Sequence, residues 1–562
     1  MSNKLSEVPV GSGQEELDSA MEQLRAKKIV SRIWQKDTTV WSDKPEHQKI
    51  ISNSLGWLTV PGQVLERVAE LTSFAQEIRS AGFTHAVVLG MGGSSLCPEV
   101  LRKSFGPQAG FPELLVLDST VPAAVAQIEA QVKLETTLFI VASKSGSTTE
   151  PQMFERYFYD RVKQLKGAKV GENFVAVTDP GTLLENQAKE LGYRKTFVNW
   201  ADIGGRYSAL SFFGMVPFAV MGGDVKGLLE RASITAQACK NEDVAQNPGA
   251  ALGALLGTLA NHGMDKLTLV ASKEIASLGL WIEQLVAEST GKEGKGIVPI
   301  AGEALGAVKD YGKDRIFAVI SVGVDTDEKM AALENAGFPV VRQQLSGAID
   351  LGATFFVWEF ATAVASSLLS IDAFDQPNVQ ESKDNTKRLL GEFVSKGALP
   401  QQVPVVEDGA LKLYSEDKAL GTTLDSAIAT HLKKVHAGDY VAITQYFVET
   451  PEVEALVQQL RLAVRAKTNA AATTGYGPRF LHSTGQLHKG GGNNGVFMQL
   501  TSADPKDVAI PREPFGFSVL KQAQSLGDLE SLVKHGRRAV RVDLGLDVVA
   551  GLKRLLHAVE NA

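Results

Sequence analysis

Short apolar runs that break into glycine-rich or hydroxyl-rich loops alternate along this chain with longer stretches whose apolar residues recur at helical spacing. The runs at 84–90, 114–118 and 138–142 are continuous enough to be strands buried on both faces of a parallel sheet. Phe154, Tyr157, Phe158 and Val162 predict a helix over 151–165, and strands at 174–178 and 195–199 flank a helix at 183–191. This β-loop-α succession implies a doubly wound, mainly parallel α/β sheet. A second series starts near Pro248, with helices at 250–263, 277–288 and 327–336 and strands at 266–271, 297–300, 315–321 and 339–343. A third has strands at 440–447, 496–500 and 539–543, helices at 452–467 and 518–534, and a terminal helix. Upstream of all three, Leu17, Met21 and Leu24 share one face of a first helix, and 64–78 forms a second. Residues 396–423, with Pro400, Pro404 and several acids, read as a loop that marks a linker. The expected organisation is an N-terminal helical segment (1–80), two doubly wound α/β domains (81–245 and 246–400) and a further C-terminal α/β region (401–562).

Composition narrows the class. The 562 residues are 44% hydrophobic and 22% charged, an ordinary globular mix, and the formal net charge is -7 with basic residues scattered. Nucleic acid is therefore not the expected partner. Two cysteines, Cys97 and Cys239, cannot build a disulfide framework or a thiolate metal site unaided, which fits a reducing cytoplasm. The opening stretch lacks the basic start and apolar core of a signal peptide. The longest apolar run, 351–371, is interrupted by Glu359 and rich in small residues, so a buried helix is expected and no membrane partner.

Chemistry concentrates at loop ends. After the strand at 138–142 comes Ser143-Lys-Ser-Gly-Ser-Thr-Thr-Glu150. Its hydroxyls stand at a helix N-terminus, where unpaired backbone N–H groups and partial positive charge suit a phosphate; ordinary helix capping is the simpler alternative. Gly90-Met-Gly-Gly-Ser-Ser95 lets backbone approach a ligand closely. It also resembles the start of a dinucleotide fingerprint, with Asp118 as the ribose acid, but position 95 is serine where a third glycine belongs and Asp118 comes late. Both loops follow parallel strands and should face one crevice. Arg206, beside Gly204 and Gly205 at a helix start, is placed for an oxyanion or lies on the surface. Glu288, at the end of the 277–288 helix, suits a general base, with Gln284 on its face; a solvated helix-end glutamate is the alternative. His482 and His488 have no acid or thiol close along the chain, which argues against a metal site.

Assembled, these motifs resemble the phosphoglucose isomerases, within the sugar-isomerase fold family of phosphosugar-binding domains. The match is carried by Gly90 to Ser95, Ser143 to Glu150, Gly204-Gly-Arg-Tyr-Ser208, Glu288-Ser-Thr-Gly-Lys292, Phe374-Asp-Gln-Pro377 with Lys383, and Leu481-His-Ser-Thr-Gly-Gln486. The chain resembles the isomerase half of transaldolase/phosphoglucose isomerase fusions. The resemblance implies that Ser143, Lys144, Ser145 and Thr148 hold a phosphate, and that Gly92, Gly93, Ser94 and Gln284 contact the sugar. By the same resemblance Glu288 moves a proton between C2 and C1 through a cis-enediol, Arg206 stabilises the enediolate, and His482 with Lys383 opens the sugar ring. No cofactor or metal is implied, the partner is a phosphosugar, and a homodimer is expected. Two departures stand out. The histidine motif usually precedes the lysine and commonly reaches the site from the partner subunit, whereas here the order is Glu288, Lys383, His482. Gly146 also replaces an aromatic residue of many members, which would widen the pocket toward mannose 6-phosphate.

Overall fold

The computed structural model describes residues 14–324 and 327–562. The opening stretch that argued against a signal peptide lies outside the described residues. Three sheets follow one another along the chain. The first holds β1 (His85–Gly90), β2 (Glu113–Leu117), β3 (Thr137–Ala142), β4 (Phe174–Thr178) and β5 (Lys195–Val198), all parallel in the order β2-β1-β3-β4-β5. Every residue of β3 and β4 is buried, which is why these strands carry no polar alternation. The second sheet, β6 (Lys266–Ala271), β7 (Val298–Ala301), β8 (Arg315–Val322) and β9 (Val340–Leu345), is parallel in the order β7-β6-β8-β9. The third is mixed. Its order is β10-β11-β15-β14-β12-β13, built from β10 (Val406–Asp408), β11 (Leu411–Tyr414), β12 (Tyr440–Tyr446), β13 (Ala471–Tyr476), β14 (Gly495–Thr501) and β15 (Arg538–Asp543).

The 396–423 stretch is thus not only loop. β10 and β11 form a hairpin that pairs antiparallel with β15 at the sheet edge. Gly409 (φ +59°) supplies the left-handed turn residue after Asp408, and Val406, Leu411 and Leu413 point into the core beneath. Neighbouring prolines and acids masked two strands this short. The helix expected over 64–78 is two, Val60–Leu65 and Val68–Ser80, broken at Glu66–Arg67.

The largest core joins the N-terminal helices to those covering the first two sheets. Trp57 packs on Tyr207, Phe356 and Phe360, tying the N-terminal segment to the glycine–arginine loop and to the long apolar helix Leu351–Leu369. That helix lies against Pro248–Asn261 closely enough that a methyl on Gly253 would meet the Ala361 carbonyl oxygen at 2.4 Å. Among the described residues it belongs to the one helix, Ala348–Leu369, long and apolar enough to cross a membrane, and 89% of that window is buried inside the protein. Burial holds the Glu359 carboxyl far above the usual carboxylate range, so it sits there as the neutral acid.

Candidate active site

The order β2-β1-β3-β4-β5 sends the chain one way after β1 and the other way after β3, and ligands bind where such a sheet reverses, beyond the strands' carboxyl ends. Gly90 and Ala142, the last residues of these two strands, are register partners. The loops 91–95 and 143–148 therefore open side by side, into a cavity of about 500 Å³. Its cradle wall is Ser143, Lys144, Ser145 and Thr148, ahead of the helix Thr149–Lys166. Thr148 occupies the N-cap position without a side-chain capping bond, so capping does not explain these hydroxyls. They bond to one another instead: Ser143 Oγ to Thr148 Oγ1 at 3.2 Å and Ser147 Oγ to Ser145 Oγ at 3.0 Å. Lys144 Nζ donates to the Ala201 carbonyl (2.9 Å) and pairs with Asp179, which leaves one ammonium proton for a ligand.

Gly146 does not widen this cavity. It is absent from the lining, and at φ +66° an added Cβ would meet Thr182 Cβ and Leu184 N at 2.8 Å, so it turns the loop against the 182–184 segment. The glycines of the first loop line the cavity with Ser94, but their missing side chains are matched by the protein itself. A Cβ on Gly92 would lie 2.8 Å from Gln284 Nε2, and one on Gly93 only 1.8 Å from the Gly205 carbonyl oxygen. Asp118, the candidate ribose acid, is occupied: Arg479 grips it with Nε–Oδ2 2.8 Å and Nη2–Oδ1 2.9 Å.

Gln284 and Glu288, both buried and on the helix Leu278–Thr290, line the same cavity. Gln284 Nε2 donates to Glu288 Oε2 (3.1 Å) and to the His482 carbonyl (2.9 Å). Arg206, 2% exposed, lies just behind the lining with Nη1 3.3 Å from Glu288 Oε1 and 3.0 Å from Gln376 Oε1. Its remaining protons are spent on Ser289 Oγ and the carbonyls of Ala373 and Asp375, so the guanidinium is held in one orientation. Lys292 braces the same segment through the Asp372 carbonyl and Asp375, and burial brings its pKa down to about 8.

Lys383, on the helix Pro377–Lys396, and His482, on the turn Arg479–His482, complete the lining. The structure brings His482 from the same chain into this cavity. No acid is close to His482 along the chain, but one is close in space: Glu150 Oε1 accepts from His482 Nε2 at 2.9 Å and from Gln524 Nε2 at 2.7 Å. Burial works to raise the Glu150 pKa, but the His482 imidazole and, further off, Lys383 outweigh it and hold the carboxyl low. His488 lies elsewhere, among the rings of Tyr440, Phe480 and Phe497, with burial pushing its pKa down to about 3. Sequence reasoning missed Glu150, Gln376 and Asn53 as lining or supporting groups. Glu150 and Gln376 sat inside quoted motifs without a role; Asn53 gave no signal at all.

The family model for phosphoglucose isomerase matches residues 47–304, the stretch that contains both loops, Arg206 and Glu288. Over that stretch the chain is similar to the phosphoglucose isomerase family. A probable glucose-6-phosphate isomerase of Methanococcus maripaludis is 26% identical over 381 residues, covering 60% of this chain and 84% of its own. The glucose-6-phosphate isomerase of Carboxydothermus hydrogenoformans is 25% identical over 404 residues, covering 61% and 86%. The crystal structure of the Chlamydia trachomatis glucose-6-phosphate isomerase shares the fold, with TM-score 0.54 and 20% identity over 68% of this chain and 86% of that one. Lys383 and His482 lie C-terminal to the family-model match.

Proposed function

We propose that the protein is a glucose-6-phosphate isomerase that interconverts glucose 6-phosphate and fructose 6-phosphate. The observation that carries this reading is a buried carboxylate, Glu288, held 3.3 Å from a fixed guanidinium, Arg206, across one cavity from a hydroxyl cradle at a helix N-terminus. A sugar phosphate lies between them with its phosphate on Ser143, Ser145, Thr148, the free Lys144 proton and the helix N–H groups. His482 and Lys383 open the ring: one proton reaches the ring oxygen as another leaves the C1 hydroxyl. Glu288 then takes the C2 proton, giving a cis-enediolate whose charge Arg206 stabilises from behind Glu288, and returns a proton to C1. C1 is reduced as C2 is oxidised, so electrons only move within the substrate. On this reading the protein acts in glycolysis and its reversal, in the cytoplasm, where its two buried, unpaired cysteines are at ease. A homodimer is the family's pattern.

Conversion of fructose 6-phosphate, followed through a coupled dehydrogenase with EDTA present, tests the reading. Wild type should turn over, and Glu288→Gln should lose roughly 100-fold or more, as expected for a missing general base. A wild type that binds fructose 6-phosphate without converting it would make the protein a phosphosugar-sensing module instead.

A further inference from the structure

The imidazole of His482 stands on a single helical turn, Arg479–His482, that leads out of β13 in the third sheet. In a 3₁₀ turn, side chains at i and i+3 eclipse one another about 6 Å apart. Arg479 and His482 are therefore parallel prongs. Both reach the first sheet: Arg479 meets Asp118 just beyond β2, and His482 meets Glu150 at the start of the helix after β3, with β1 between. Two strand spacings separate these carboxylates' strands, about 10 Å, which two long side chains span from one turn.

We infer that Arg479 is a positioning residue for His482, and that Gln524 is a second one acting through Glu150. This rests on the isomerase reading above. The Arg479–Asp118 contact is bidentate, and Asp118 is 2% exposed, so it fixes the angle of the turn as well as its distance. A lysine there would keep the charge and lose the angle. Gln524, on the helix Phe517–Lys534, donates its amide to Glu150 Oε1 and accepts from Thr120 Oγ1 at 2.6 Å. The Glu150 carboxylate is thereby held in the plane that His482 Nε2 addresses. Gln284 ties the backbone of the same turn through the His482 carbonyl. The turn is fastened at both ends and at the ring, while Glu288 and Arg206 are held by other elements.

Positioning of this kind acts on ring opening and leaves recognition of an open-chain ligand alone. Three quantities decide it, each measured on the full chain: kcat and KM for glucose 6-phosphate, binding of a five-carbon aldonate phosphate, and a double-mutant cycle with His482→Ala. The aldonate mimics the enediolate and has no ring. Arg479→Lys should lower kcat roughly 10- to 100-fold with KM little changed, the cost of a misplaced catalytic group. Its aldonate affinity should stay within about twofold of wild type. In the His482→Ala background the same substitution should cost less than about twofold, since its effect passes through a side chain already gone. Additive losses in the cycle, or aldonate binding that falls in step with kcat, would make Arg479 a general brace between the sheets and overturn the inference. An Arg479→Lys protein that does not fold hands the same cycle to Gln524→Leu, which leaves the arginine clamp intact. A wild type inert on glucose 6-phosphate sinks the isomerase reading and this one with it. An active wild type matched by His482→Ala sinks this one alone.

Discussion

Gly93 shows how little room the site leaves at the level of single atoms. Its missing methyl would stand 1.8 Å from the Gly205 carbonyl, one residue before Arg206. Gly93→Ala must therefore part the two loops and draw Arg206 from Glu288. We expect a stability loss of about 1–3 kcal/mol in denaturant unfolding and a roughly 100-fold loss in kcat/KM by the coupled assay. Wild-type activity in the folded variant would mean that the loops do not set the distance between Arg206 and Glu288. A glycine at this position was readable from the sequence as a demand for close approach. What approaches was not: the fingerprint-like spacing pointed to a ligand, and the structure puts the chain's own backbone there. Glu150 escaped for a related reason, since 332 positions along the chain separate it from its imidazole partner.

At the scale of elements, strands read well and their supports read poorly. β1 and β3 announced themselves because strands buried on both faces need unbroken apolar runs, whereas the β10–β11 hairpin, half exposed and only a few residues long, hid among prolines and acids. The short helix Gly485–Gly490 carries His488, which packs against the Phe497 ring. Burial, with Lys489 and Arg537 nearby, drops the His488 pKa from 6.5 to about 3. A depressed folded-state pKa means that the unfolded chain binds the proton first. Its contribution is whole above pH 6.5 and drains away as pH falls toward 3. Between pH 7 and pH 5 this single residue removes about 2 kcal/mol. His488→Phe, which suits its aromatic surroundings, should therefore lose about 2 kcal/mol less than wild type over that interval in urea titrations. Parallel stability profiles would show that His488 does not titrate on unfolding.

The whole molecule draws one cavity from all three sheets: the cradle from the first, Glu288 from the helix between β6 and β7, and His482 from the third. These groups belong to one chain, and on the isomerase reading we expect a single copy to hold the whole site. Specific activity should stay constant on dilution through the range where sedimentation shows any dimer dissociating. Loss of activity in step with dissociation would mean that a neighbouring copy supplies a needed group. From the sequence alone, the displaced histidine motif left open which chain supplies the imidazole, because spacing along a chain says nothing about which loops meet.

The order of the groups along the chain also fixes the order in which they come into being. A ribosome adding roughly 5–20 residues per second makes the cradle, Arg206 and Glu288 well before His482, an interval of roughly 10–40 s. For that time the nascent protein has the groups assigned to holding a sugar phosphate and to moving its C2 proton, and Glu150 has a carboxylate with neither imidazole nor amide to receive. On the isomerase reading, the imidazole assigned to ring opening comes after them, as Arg479 finds Asp118.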